Sequence, residues 1–346
     1  MVEIRRGPGG REDTRPLPTQ ERQRPASPSK DAGPRPSRRR RRAGTWLTIV
    51  LFLLPGLVLF GLLVLLPILI GGYLSFFRWN GLGGIPEPGD NRFIGLDNYT
   101  RLFNDPIVLG DLWHMVILIV LSLVIQLPLS LGIALLLNQK MRGRAVYRTL
   151  FFAPYVLSEV IAGVLFSLVF SPEHGLANEI LNAIGLENAA AEWLANPDTV
   201  LYSVFLVITW KYFGFHMILY LAGRQGIPKE LLEAAAIDGA GPWRQFRYVT
   251  LPLLGPTIRM SIFLSVIGTI QLFDLVWVLT RGGPAHSSET LAVTMFQFGF
   301  ERNQFGYASA ISVVIFLISL VFALGYQRWV LRRDTEGAIT SMRDQR

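Results

Sequence analysis

Three ionisable side chains sit inside long apolar runs: Glu159, Lys211 and Asp274. A charge at the centre of a membrane-crossing helix costs roughly 2.5–3.5 kcal/mol, so such groups are candidates for function by default. They have suggestive neighbours. Lys211 and Phe215 are four residues apart and share a helical face, with Tyr212 and His216 beside them. Gln271 and Asp274 are three apart, which on one helix also puts them on one face. Such neighbours suit a small solute that offers both hydrogen-bonding groups and apolar C–H faces, the latter against an aromatic platform. Tyr212, Phe215, Gln271 and Phe273 are residues of those types. Two other readings stay open. Lys211 can pair internally with Glu159 or Asp274 and only fix helix packing, and all three charges would also suit an ion-coupled transporter.

Other chemistry is excluded. Cys is absent, which removes disulfides, thiolate nucleophiles and Cys-ligated zinc. His114, His174, His216 and His286 are scattered and form no metal-ligand pair. His216 reads as a buried histidine with its hydrogen bonds satisfied, and Gly282-Gly283-Pro284 as loop geometry. Lys30, Lys140, Lys211 and Lys229 all lie outside a Gly-Lys-Ser/Thr context, so the chain has no P-loop. No catalytic residue, metal or cofactor is expected.

The elements that position these residues follow from composition. The chain has 346 residues, 51% hydrophobic and only 17% charged. Soluble domains carry roughly 25% charged residues. From Thr45 to about Tyr73 the chain is apolar, with no charge between Arg42 and Arg78. That exceeds the roughly 20 residues a bilayer requires, and Pro55 and Pro67 should bend the helix. Five more spans are expected at about 113–137, 149–170, 200–223, 258–280 and 306–330. Strands of a barrel would alternate apolar and polar residues over about ten positions, and that pattern is missing. The expected fold is all-α, polytopic, with six transmembrane helices over 45–330.

Lys and Arg set the orientation. Segments 1–44, 138–148, 224–257 and 331–346 hold most of them, while the 171–199 loop has none. The positive-inside rule puts both termini in the cytoplasm. Residues 1–44 are rich in Arg, Pro, Ser and Gly and include the run Arg38–Arg42. This segment reads as a disordered basic tail facing anionic lipid rather than nucleic acid. Residues 331–346 form the other cytoplasmic tail. Outside, Gly175 to Leu186 and Asn98 to Phe103 suit short amphipathic helices at the interface or, equally, packed loops.

The 224–257 loop carries the most information. Pro228 suits a first helical position, Gly239 to Gly241 stop that helix, and Pro242 starts another. Glu233-Ala234-Ala235, Gly239, nine residues, then Val249-x-Leu251-Pro252 resembles the EAA loop of ATP-binding-cassette importer membrane subunits, with Val249 in place of Ile. Further resemblance is to the carbohydrate-uptake, maltose-type permeases, through Tyr147–Tyr155, residues 223–240, 273–284 and 305–312. It covers roughly 45–330.

This resemblance implies a permease subunit forming half of a sugar pathway in a prokaryotic cytoplasmic membrane. The implied partners are two copies of a separate P-loop ATPase, a second homologous permease subunit and an extracytoplasmic sugar-binding protein. Glu233, Ala234, Ala235, Gly239, Leu251 and Pro252 would couple to the ATPase. The corresponding stretches of the fourth and fifth spans line the family's sugar site, which points to Lys211, Tyr212, Phe215, Gln271 and Asp274.

Overall fold

The structure, a computed structural model, describes residues 38–139, 141–186 and 192–331. Most of the expected N-terminal tail, Lys140 and residues 332–346 lie outside the described residues. These fall into two compact units, one ending at Gly61 and the other beginning at Leu62.

The first unit holds α1, Arg38–Phe60. The sequence assigns residues 38–44 to the tail, but they are helical, in keeping with the high helix propensity of Arg and Ala. Every side chain from Ile49 to Phe60 is exposed.

In the second unit α2, Leu66–Leu74, is followed by the short helix α3, Asp97–Asn104. Then come α4, Pro106–Leu121, and α5, Leu127–Leu137. Next are α6, Arg144–Val156, α7, Glu159–Val169, and the short α8, Leu176–Ala183. The long α9, Val200–Gln225, leads to α10, Lys229–Ile237, α11, Pro242–Gln245, and α12, Leu251–Leu253. Last are α13, Gly255–Ile270, α14, Asp274–Leu279, α15, Leu291–Phe296, and α16, Phe305–Tyr326. Both amphipathic pieces expected outside are helices, as α3 and α8. Among the described residues the only β-pairing is an isolated bridge between Phe77 and Phe93.

Proline accounts for three wide turns. The π-helical stretches Gly61–Leu65, Ser122–Gln126 and Phe246–Thr250 each end two residues before a proline: Pro67, Pro128 and Pro252. Proline has no N–H and its ring crowds the carbonyl four residues back, and a wider preceding turn relieves both.

Among the described residues four helices are long and apolar enough to cross a membrane: Ile49–Leu74, Pro106–Leu137, Val200–Gln225 and Phe305–Val330. The count reaches six only if two bent pairs each make one span. The expected third span is one of them, with α6 and α7 meeting at 98°. The other joins Pro242–Leu253 to α13 at 64°. The expected fifth span, 258–280, is therefore not one helix, because α13 ends at Ile270.

A core of Ala162, Phe166, Val204, Val207, Leu275 and Val276 fastens α7, α9 and α14 together. A second core of Leu102, Val108, Tyr307, Ala310 and Ile311 joins α3, α4 and α16.

Candidate functional site

α9 carries Lys211, Tyr212, Phe215 and His216. It approaches α6 closely because residue 214 has no side chain: a Cβ there would lie 1.9 Å from the Phe151 carbonyl oxygen. This contact brings Tyr155 against Phe215, with ring centroids 4.8 Å apart and planes within 22°. Tyr155 also meets Tyr212 edge-on, centroids 6.1 Å apart.

The break between α6 and α7 is a built feature. Leu157 is extended at φ −65° and ψ 144°, and the Ser158 hydroxyl caps α7 by accepting from the Ile161 N–H at 3.2 Å. A broken helix leaves carbonyls without intrahelical partners. Lys211, a residue only 3% exposed, donates from its ammonium to the Leu157 carbonyl at 2.5 Å. The Tyr212 hydroxyl donates to Glu159 Oε1. Among the described residues no ion pair joins Lys211 to Glu159 or Asp274. Lys211 thus serves backbone at the bend, and neither of the ion pairs considered from sequence forms.

Beside the break lies a cavity of about 370 Å³. Tyr155, Glu159, Tyr212, Phe215 and His216 line one side, and Gln271, Phe273 and Asp274 another. Ser122, Gln126 and Ser265 add polar atoms, with Ser122 Oγ donating to Gln126 Oε1 at 2.6 Å and lying 2.7 Å from Ser265 Oγ. Four of the five residues proposed from sequence line this cavity: Tyr212, Phe215, Gln271 and Asp274. Lys211 does not line it.

Gln271 and Asp274 reach the cavity by a different route than the sequence predicts. They do not share a helical face. Gln271 caps α13 at φ −97° and ψ 10°, and Phe273 precedes α14 at φ −131° and ψ −67°. The unwound Leu272 carbonyl accepts from the Thr290 hydroxyl at 2.8 Å. That tertiary bond stands in for the helical one and holds the turn open. His216 also departs from expectation, since its buried Nδ1 has no hydrogen-bond partner. It is a wall residue with polar capacity unused. Tyr155, Ser122 and Gln126 escape the sequence reading. Gln126 did carry a signal, being a polar residue within an apolar span.

The 224–257 loop has the expected two-helix form. Pro228 precedes α10 as its cap instead of occupying its first turn. Gly239 ends the turn at φ +79°, a conformation side chains disfavour. Glu233 and Ala234 are exposed, Ala235 is half-buried, and Pro252 is exposed beside half-buried Leu251. Nearby, Ile237, Trp243 and Tyr248 are 87%, 71% and 74% exposed. Large apolar groups left in the open are of the kind that interaction surfaces use.

Residues 126–333 match the family model described as "Binding-protein-dependent transport system inner membrane component". Over 282 residues the chain is 36% identical to a probable ABC transporter permease protein of Pyrococcus horikoshii, covering 81% of this chain and 94% of that one. It is also 36% identical, over 277 residues, to the lactose transport system permease protein of Rhizobium radiobacter, covering 79% and 90% of the two chains. A solved bacterial ABC transporter involved in the import of the acidic polysaccharide alginate shares the fold at a TM-score of 0.74 and 24% identity. That match covers 86% of this chain and 99% of the other. Nothing in these likenesses supports an ion-coupled transporter.

Proposed function

The chain belongs to the binding-protein-dependent transport system inner membrane components, and from that premise we propose that it forms half of the membrane pathway of a sugar importer driven by a separate ATPase. The observation that carries the sugar reading is the cavity beside the helix break. It sets the stacked Tyr155–Phe215 pair among Glu159, Gln271 and Asp274. Rings cover the C–H faces of a saccharide, and carboxylate and amide groups bond its hydroxyls. The lactose permease relative agrees with this reading. Tyr212, Phe215, Gln271 and Asp274 contact the sugar, and Lys211 positions the bend that frames it.

Energy enters through the 224–257 loop. Glu233, Ala234, Ala235 and Gly239 form its first docking edge, Leu251 and Pro252 its exit toward α13. The bare Ala234 and the exposed Ile237, Trp243 and Tyr248 allow close apolar contact with a cleft on the ATPase. Two ATPase copies, a second permease subunit of the same family and an extracytoplasmic sugar-binding protein complete the assembly. Both termini lie in the cytoplasm, six spans cross the inner membrane, and residues 1–44 and 331–346 are cytoplasmic extensions. The exposed side chains of Ile49–Phe60 then face lipid. ATP-driven closure of the ATPases turns the site outward, because nucleotide and sugar bind the two conformations with different affinity. Reversing a 1:99 equilibrium to 99:1 requires about 5.5 kcal/mol of such differential binding. This chain supplies a path and no bond chemistry.

Co-purification from the native host in mild detergent tests the assembly. A P-loop ATPase and a second permease should accompany the chain. Recovery of the chain alone, even after crosslinking at residues 228–249, would contradict it.

A further inference from the structure

Two more cavities open on the same unit. One, of about 650 Å³, is lined among others by Asn98 and Arg101 of α3 and by Arg78, Trp79, Asn80 and Gln304 on the connections that follow α2 and precede α16. In the proposed orientation these connections are extracytoplasmic. The other, of about 330 Å³, is lined by Phe273, Phe296, Ser312 and Gln271, and it shares Gln271 and Phe273 with the central cavity. An unbroken row of rings links all three. Trp79, on the outer cavity, lies 5.6 Å from Phe305, centroid to centroid. Phe305 lies 5.6 Å from Phe300, Phe300 5.0 Å from Phe296, and Phe296 5.3 Å from Phe273. The row is not buried in a core: Phe300 is 65% exposed, and Trp79, Phe305, Phe296 and Phe273 are half-buried.

The geometry points to a stacking track, Trp79–Phe305–Phe300–Phe296–Phe273, along which a saccharide passes between the outer cavity and the central one. This rests on the sugar reading above. The outer cavity combines one indole with amide and guanidinium donors, as the central one combines rings with amides and carboxylates. A polar pocket and an aromatic platform at each end, joined by rings at van der Waals spacing, let a sugar engage the next ring before it leaves the last. Passage demands sites that are many and weak, favourable enough to enter and weak enough to leave. Half-exposed rings meet that demand, whereas a deep pocket would trap the ligand. Gln271 and Ser312 flank the inner part of the row and can hold hydroxyls while a ring holds the C–H face.

The test uses the intact importer, co-purified and reconstituted in proteoliposomes, with radiolabelled lactose, maltose, trehalose and cellobiose as probes. Phe300→Tyr keeps the ring, Phe300→Leu keeps the bulk, and Phe300→Ala keeps neither. The track predicts near-normal uptake for Tyr and a fall of about five- to tenfold for both Leu and Ala, the scale of one lost ring contact. The partner chains should co-purify in normal proportion with all three variants. Wild-type uptake by Phe300→Leu would mean that bulk alone matters and would overturn the track. Loss of the second permease from Phe300→Leu and Phe300→Ala would make the row a subunit interface and overturn it too. A native importer that accumulates none of the saccharides but does accumulate a solute that is not a saccharide would defeat the sugar reading itself, and the track with it.

Discussion

The 224–257 loop and the central cavity are built on opposite plans. The loop is local: Pro228, Gly239 and Pro242 each shape the few residues around them, and Ile237, Trp243 and Tyr248 stand exposed. The cavity is assembled from helices far apart in the chain, and side chains stand in where backbone bonding stops. Lys211 reaches Leu157 across 54 residues, and Ser122 meets Ser265 across 143. The contrast teaches where each region is fragile. The loop depends on its own backbone shape, while the cavity depends on long-range contacts that keep broken helices open.

The largest effect should come from the helix contact that builds the cavity wall. Gly214→Ala would drive a Cβ into the Phe151 carbonyl, so α6 and α9 must part. Overpacking against backbone costs about 3 kcal/mol, and thermal unfolding of the purified chain should drop accordingly. An unchanged midpoint would break the claim that close approach forms this wall. Next is Gly239→Val. A Cβ at 239 meets nothing within 4 Å, so the penalty is the φ of +79° alone. That is about 1–2 kcal/mol, confined to an exposed turn. The chain should stay folded and lose its ATPase on co-purification; an ATPase retained with full ATP-dependent uptake would show that the loop's shape is not what the partner reads.

Two smaller changes sharpen the picture inside the cavity. Lys211→Met leaves the Leu157 carbonyl unpaired, at a cost of about 1–3 kcal/mol. Its unfolding midpoint should fall while the half-saturating sugar concentration holds. The reverse pattern would return Lys211 to the substrate. Gln271→Ala should move stability least, within about 0.5 kcal/mol, because the side chain is exposed. Uptake should nevertheless fall about fivefold, the scale of one lost hydrogen bond. Full uptake would remove Gln271 from the site.

Apolar run length made the membrane helices legible, and the loop's signals were legible because they act within a few residues. Part of the cavity was legible too, since Tyr212, Phe215, Gln271 and Asp274 are costly or specialised residues in their spans. The breaks were harder. Ser158 is a good helix cap and could have flagged the bend before α7, but it sits within an apolar stretch that reads as continuous. Nothing local marks the unwinding at Gln271–Phe273; the Thr290 hydroxyl that holds it is 18 residues away. The partner of Lys211 was illegible for the same reason: a backbone carbonyl is available in every residue, and only the fold selects which one.

The most direct measurement is ATP-dependent uptake of the saccharide panel by proteoliposomes holding the complete importer, with its binding protein outside, for the native chain and for Tyr212→Ala. The account predicts that the native importer accumulates a saccharide only with ATP, and that Tyr212→Ala loses most of this uptake while every subunit is retained. Equal uptake by both, or accumulation driven by an ion gradient without ATP, would contradict it.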